Sequence, residues 1–106
     1  MLEFLHVGAP TRIKRPNETH AAELGVYITN PDEHDLKFEY LRFEANSPMP
    51  KELQERPHVA FKVDSIEKYA VGAKVLVEPF AAGEQTRIAF IVRDDVIIEL
   101  MEKNEQ

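Results

Sequence analysis

At residues 58–63 side chains alternate between two faces with the period of two that marks a strand. HVAFKV (58–63) puts Val59, Phe61 and Val63 on one face and His58, Ala60 and Lys62 on the other. Asp64 then stands as a helix N-cap with Glu67 three residues on, a capping-box spacing that predicts a short helix over SIEKYAV ending at Gly72. KVLVEPF (74–80), RIAFIVRD (87–94) and VIIELME (96–102) read as three further strands, separated by turns at Gly83 and at the Asp94, Asp95 pair. The tail KNEQ (103–106) is expected to fray.

The first half is less regular. LEFLHVG (2–8) is strand-like and is closed by Gly8 and Pro10, while PTRIKRPNETHAA (10–22) is polar, carries two prolines and has room for at most a short helix near its end. LGVYIT (24–29) and LKFEYLRFE (36–44) predict strands on either side of a turn at Asn30, Pro31 and Asp32. NSPMPKELQERP (46–57) is a proline-bounded connector with one helical turn in KELQER. The expected organisation is a single domain over 1–106, made of a first module (2–45), a linker (46–57) and a second module (58–102).

The two halves align with each other. LEFLHVGAP answers RPHVAFKVD, GVYITN answers RIAFIV, and LKFEYLRFE answers DVIIELMEK. His6 then falls on His58 and Glu39 on Glu99. In this alignment the first copy lacks a counterpart of KVLVEPF, and something looser replaces its helix.

Composition narrows the chemistry. With 43% hydrophobic and 30% charged residues the 106-residue chain has material for one modest core. A formal charge of -6 and the lack of basic–aromatic interleaving argue against a nucleic-acid partner. No apolar run approaches the roughly 20 residues needed to span a bilayer, so a membrane role is not expected, and the cytoplasm is the default compartment. With no cysteine, thiolate ligands, disulfides and a Cys nucleophile are excluded, leaving histidines and carboxylates as the strong metal ligands. No Ser–His–Asp arrangement is visible, and the single glycine of GEQT makes no phosphate cradle.

Strand parity sets His6, Glu39, His58 and Glu99 on the face away from the helix-side core, where a curved sheet would let them converge. Two imidazoles and two carboxylates suit a divalent ion such as Zn, Ni, Fe, Co or Mn, with a carboxylate free to act as a base beside a polarised carbonyl. The plainer account is an antiparallel sheet with one wet face, which also puts polar residues at alternate positions. The matching His–Glu pairs in both halves favour the metal. Glu44 is the fallback ligand, although odd spacing from Glu39 places it on the opposite face. His20 and His34 read as surface residues of polar loops. Arg42, Arg87 and Arg93 are exposed strand charges or contacts for an anionic substrate, and Tyr27 and Tyr40 line a cavity or fill core.

HVAFKVDSIEKY, GAKVLVEPF and GEQTRIAFIVRDDVIIELME together resemble the second module of the vicinal oxygen chelate superfamily, which includes glyoxalase I, extradiol dioxygenases, methylmalonyl-CoA epimerase and the bleomycin-resistance proteins. The match runs nearly the whole length of the second half; in the first half FLHVG and KFEYLRFE carry it. The resemblance implies an α+β fold: two βαβββ-type modules, the first degraded, in a curved, mostly antiparallel sheet or incomplete barrel with few short helices. It implies His6 and Glu39 from module one, and His58 and Glu99 from module two, as metal ligands, with Glu39 and Glu99 as the catalytic carboxylates. The function implied is a metal-dependent lyase or isomerase, or a dioxygenase relative, that stabilises an enediolate-type intermediate of a small oxygenated substrate. The alternative is a metal-free small-molecule-binding protein of the bleomycin-resistance kind. A third reading makes the short first module a dimerisation device, and a homodimer would let a second chain complete the site.

Overall fold

A computed structural model of the chain describes residues 2–104. Its strands are β1 (Leu2–Pro10), β2 (Thr19–Ala21), β3 (Val26–Ile28), β4 (Phe38–Phe43), β5 (His58–Val63), β6 (Lys74–Ala81), β7 (Thr86–Arg93) and β8 (Val96–Lys103). The helices are α1 (Lys51–Glu55) and α2 (Ile66–Ala70), with 3-10 turns at Ala22–Leu24 and Pro31–Glu33. Mostly strands with two short helices, this is the α+β class that the sequence predicts. Residues 105 and 106 of the tail lie outside the described residues. No helix is long and apolar enough to cross a membrane.

The described residues fall into two compact units, 6–57 and 2–5 with 58–104, and β1 contributes to both. Hydrogen-bonded neighbours follow the order β2-β3-β4-β1 in the first unit and β6-β7-β8-β5 in the second. In each, the first strand pairs parallel with the last, β1 with β4 and β5 with β8. The remaining pairings, β2 with β3, β3 with β4, β6 with β7 and β7 with β8, are antiparallel. The first module is therefore not a strand short. β2 occupies the place of β6 with three residues where β6 has eight. Three residues carry too little pattern to read locally, and pairing with β3 makes them a strand.

In the second unit the face of Phe61, Val63, Ala89, Ile91, Ile98 and Leu100 forms the core, closed by Ile66 and Tyr69 of α2. The helix is tied down at its start, where Ser65 Oγ accepts from Lys68 N at 3.2 Å and Glu102 Oε2 accepts from Ile66 N at 3.0 Å. The N-cap is thus Ser65 and not Asp64. Glu67, expected in a capping box, instead accepts from Arg87, and Arg87 also donates to Glu102 at 2.8 Å.

The first unit covers the equivalent face without a helix between β1 and β2. Phe38, Tyr40 and Arg42 of β4 share that face with Tyr27 and His20, which pair side by side across β4, β3 and β2. Loop side chains lie over them: the Arg15 guanidinium sits 3.7 Å from the centre of the Tyr40 ring, and the His34 ring stacks on Phe38 at 4.8 Å. Arg42 and His20 lie against Tyr27 at 4.3 and 4.4 Å. Planar groups stacked on planar groups cover the sheet where the prolines of the 10–22 stretch prevent a helix. Tyr27 and Tyr40 consequently face away from the Glu39 side of the sheet, and Arg42 is no lone surface charge. It donates through Nε and Nη2 to both oxygens of Glu18, at 2.9 and 2.7 Å.

Candidate metal centre

In the second unit, β5 and β8 run parallel with His58 opposite Ile97 and Ala60 opposite Glu99. His58, Ala60 and Glu99 thus share the face away from α2, as strand parity requires. His58 Nε2 and Glu99 Oε1 are 2.9 Å apart, with side chains only 2% and 7% exposed. Phe90, paired with Glu99 across β7 and β8, meets the imidazole edge-on at 5.3 Å.

The first unit repeats this register. β1 and β4 are parallel, Gly8 stands opposite Glu39, and His6 precedes Gly8 by two residues, as His58 precedes Ala60. His6 Nε2 lies 3.3 Å from Glu39 Oε1, with side chains 7% and 18% exposed. In both units the residue facing the carboxylate across the strands is small, glycine or alanine, so the Glu can lean along the sheet toward the preceding His. Neither small residue stood out in the sequence, yet aligning the repeats puts H-x-G over H-x-A and would have shown them.

Each unit therefore holds a His and a Glu from parallel strands, both largely withdrawn from water. A buried carboxylate beside an imidazole is costly unless paired, and both groups are ligands that a borderline divalent ion accepts. A His/Glu cluster of this kind could hold a metal ion. Glu44, the fallback, belongs elsewhere: its Oε1 is 3.0 Å from Nε2 of the half-exposed His20. His34 is no free surface residue either, for its Nδ1 accepts from Leu36 N at 3.0 Å.

Glu18, a strongly perturbed acid, lies away from these pairs. Hydrogen bonding to the Arg42 guanidinium holds the Glu18 carboxyl down at about 2, and the Arg15 N–H adds to the effect. That network braces the helix-less face of the first unit.

The chain matches no protein-family model and no curated protein sequence. It is similar in fold to a hypothetical protein from Bacillus halodurans C-125, at 20% identity and a TM-score of 0.62, covering 99% of this chain and 96% of that one. It is also similar to methylmalonyl-CoA epimerase from Mycobacterium tuberculosis, at 17% identity and a TM-score of 0.51, covering 98% and 88% respectively. At such identity the likeness is one of fold.

Proposed function

We propose that the protein is a glyoxalase-like, metal-dependent enzyme in which His6, Glu39, His58 and Glu99 hold one divalent ion, and that it acts on a small oxygenated substrate as an isomerase or lyase. The observation that carries this reading is the repeated half-site: a His–Glu pair on the same parallel register in both units, with both histidines and Glu99 buried and Glu39 partly so. A wet sheet face would not bury two imidazoles and the Glu99 carboxylate. The donor set suits Zn, Ni, Fe, Co or Mn, with coordination positions left for a substrate.

When bound, the ion supplies Lewis acidity to a substrate carbonyl oxygen. The chain's own part is proton transfer and positioning. A carboxylate takes the proton from the carbon beside the carbonyl and returns it to the same skeleton. Glu39 suits that exchange, because it is the more exposed of the two carboxylates and its contact with His6 is the longer. Glu99 is fixed by His58, and the apolar edge of Phe90 limits water around that pair.

The test is metal stoichiometry in protein made without a His tag, supplied with each candidate ion and then dialysed. One ion per chain in the wild type, lost alike in His6→Ala and in His58→Ala, is expected. Negligible metal in the wild type refutes the reading, as does retention of half the metal in each variant, which would mean two independent sites.

A second reading, a metal-free binding protein, draws on Phe90, Ile97 and Met101, apolar neighbours on the His58 face of the second unit. It predicts ligand-induced thermal stabilisation that survives exhaustive chelation.

A further inference from the structure

The turn that leads into β4 is built around an imidazole. His34 Nδ1 accepts the backbone N–H of Leu36 at 3.0 Å and, more weakly, that of Phe38 at 3.4 Å. Its ring lies flat on Phe38 at 4.8 Å and meets Tyr40 edge-on at 5.7 Å. The His34 carbonyl accepts from Lys37 N at 3.1 Å, which closes the turn. Lys37 is held in the left-handed region with φ 61, a conformation that costs a side-chain-bearing residue free energy and persists only when the surroundings impose it. The Lys37 carbonyl in turn accepts from Val7 N at 2.9 Å, on the residue after His6, and β4 begins at Phe38, the residue before Glu39. One histidine side chain thus sits over the point where the strands carrying His6 and Glu39 enter register.

We propose that His34 is a positioning residue for the His6–Glu39 half-site, and that it holds the turn only while Nδ1 is unprotonated. An imidazole nitrogen accepts a hydrogen bond only through its lone pair. Protonated, Nδ1 carries a hydrogen that faces the Leu36 and Phe38 amides, two donors opposed to a third. A receiver for that hydrogen already stands beside it in Asp35 Oδ1, 3.5 Å from Nδ1 on a side chain exposed to water. The turn therefore has two arrangements, one with Nδ1 accepting from the backbone and one with Nδ1–H turned to Asp35. Among the described residues, charged or titratable groups nearby include Tyr40 against the ring, the Arg15 guanidinium over Tyr40, and the Asp32–Lys37 pair of the same turn at 3.3 Å. In the second arrangement the Leu36 and Phe38 amides on either side of Lys37 lose their acceptor, the strained Lys37 backbone is less firmly held, the Lys37–Val7 link loosens, and Glu39 is released from register with His6. The metal consequence rests on the function proposed above; the turn itself does not.

Backbone amide exchange in metal-free, full-length protein tests the turn directly. Protection factors for Leu36, Phe38 and Val7 are followed between about pH 8 and 5, the range in which histidines change charge, beside the ring resonances of His34. In the wild type, protection of all three amides is expected to fall at least about fivefold, the value of one net hydrogen bond, together with the His34 titration. His34→Asn supplies an Oδ1 acceptor of Asx-turn type that does not titrate, and its protection should stay within about twofold of the wild type's high-pH value throughout. His34→Phe keeps the stacking without the acceptor and should be unprotected at every pH. Wild-type protection that does not track His34, or a His34→Asn profile that falls like the wild type's, overturns the proposal even if His34→Phe does not fold. Metal titration then separates this inference from the functional one. If wild-type protein takes up metal, His34→Phe should bind at least about fivefold more weakly and His34→Asn within about twofold of wild type. If the wild type takes up none, the proposed function fails while the amide result stands or falls by itself.

Discussion

Replacing Glu99 by Gln removes one carboxylate while keeping the size and an oxygen near His58. The pair is buried, with side chains 7% and 2% exposed and 2.9 Å between Nε2 and Oε1. A hydrogen bond to a charged group contributes about 1.5–3 kcal/mol net and a neutral one about 1 kcal/mol. The metal-free variant should therefore lose about 1 kcal/mol, or about 4–8 °C in Tm for a domain of this size. The metal-dependent part is larger. A ligand at a hundred times its Kd stabilises the fold by about 2.7 kcal/mol, whereas a hundredfold loss of affinity at the same concentration leaves RT ln 2, about 0.4 kcal/mol. Scanning calorimetry with and without the ion should show a metal-induced rise of about 10–20 °C in the wild type and no more than about 3 °C in Glu99→Gln. Glu44→Gln is the control, since Glu44 pairs with exposed His20, and its metal-induced rise should equal the wild type's. Each comparison is made within one variant, so loss of intrinsic stability cancels. A full metal-induced rise in Glu99→Gln would refute Glu99 as a ligand.

Three further outcomes follow from the packing. Because Arg42 lowers the Glu18 carboxyl from 4.5 to about 2 in the folded state, its stabilising contribution is complete above the unfolded value and drains away as the pH falls from about 5 to about 2; urea midpoints should drop over that window in the wild type and change less in Glu18→Gln. Leu100→Ala, in the core under α2, should cost about 2–5 kcal/mol, while Val71→Ala, at an 83% exposed position, should stay within about 0.5 kcal/mol by urea denaturation. Gly25→Ala should cost about 1–3 kcal/mol in the same assay, since Gly25 has φ +62 and an added Cβ would lie 2.7 Å from the Ser47 backbone.

Much of the second unit was legible along the chain. HVAFKV, RIAFIVRD and VIIELME are apolar, β-branched-rich stretches bounded by turn residues, and strands β5, β7 and β8 fall within a residue of those bounds. Such a run between turns is a local signal, and Ala60, Val63, Ala89, Ile91 and Leu100 within these stretches are buried. The helix cap was legible in kind but misplaced by one residue, because the side chains of Glu102 and Arg87, distant in sequence, decide which backbone N–H is capped and where Glu67 points. The first unit was harder to read. THA carries no strand signal, and its covering layer is built from Arg15, Glu18 and His34, polar residues that look like solvated loop until their partners are known.

By itself the sequence determined the strands of the repeat, the parity that puts His6, Glu39, His58 and Glu99 on one kind of face, and the doubling of the His–Glu pair. Those follow from period-two geometry and from comparison of one half with the other. Only the tertiary structure decided the parallel register that sets Gly8 against Glu39 and Ala60 against Glu99, and with it the reach of each carboxylate to its histidine. Register between strands separated by some thirty to forty residues is fixed by packing on both faces of the sheet and by turns such as the one His34 holds, and no local stretch encodes that sum.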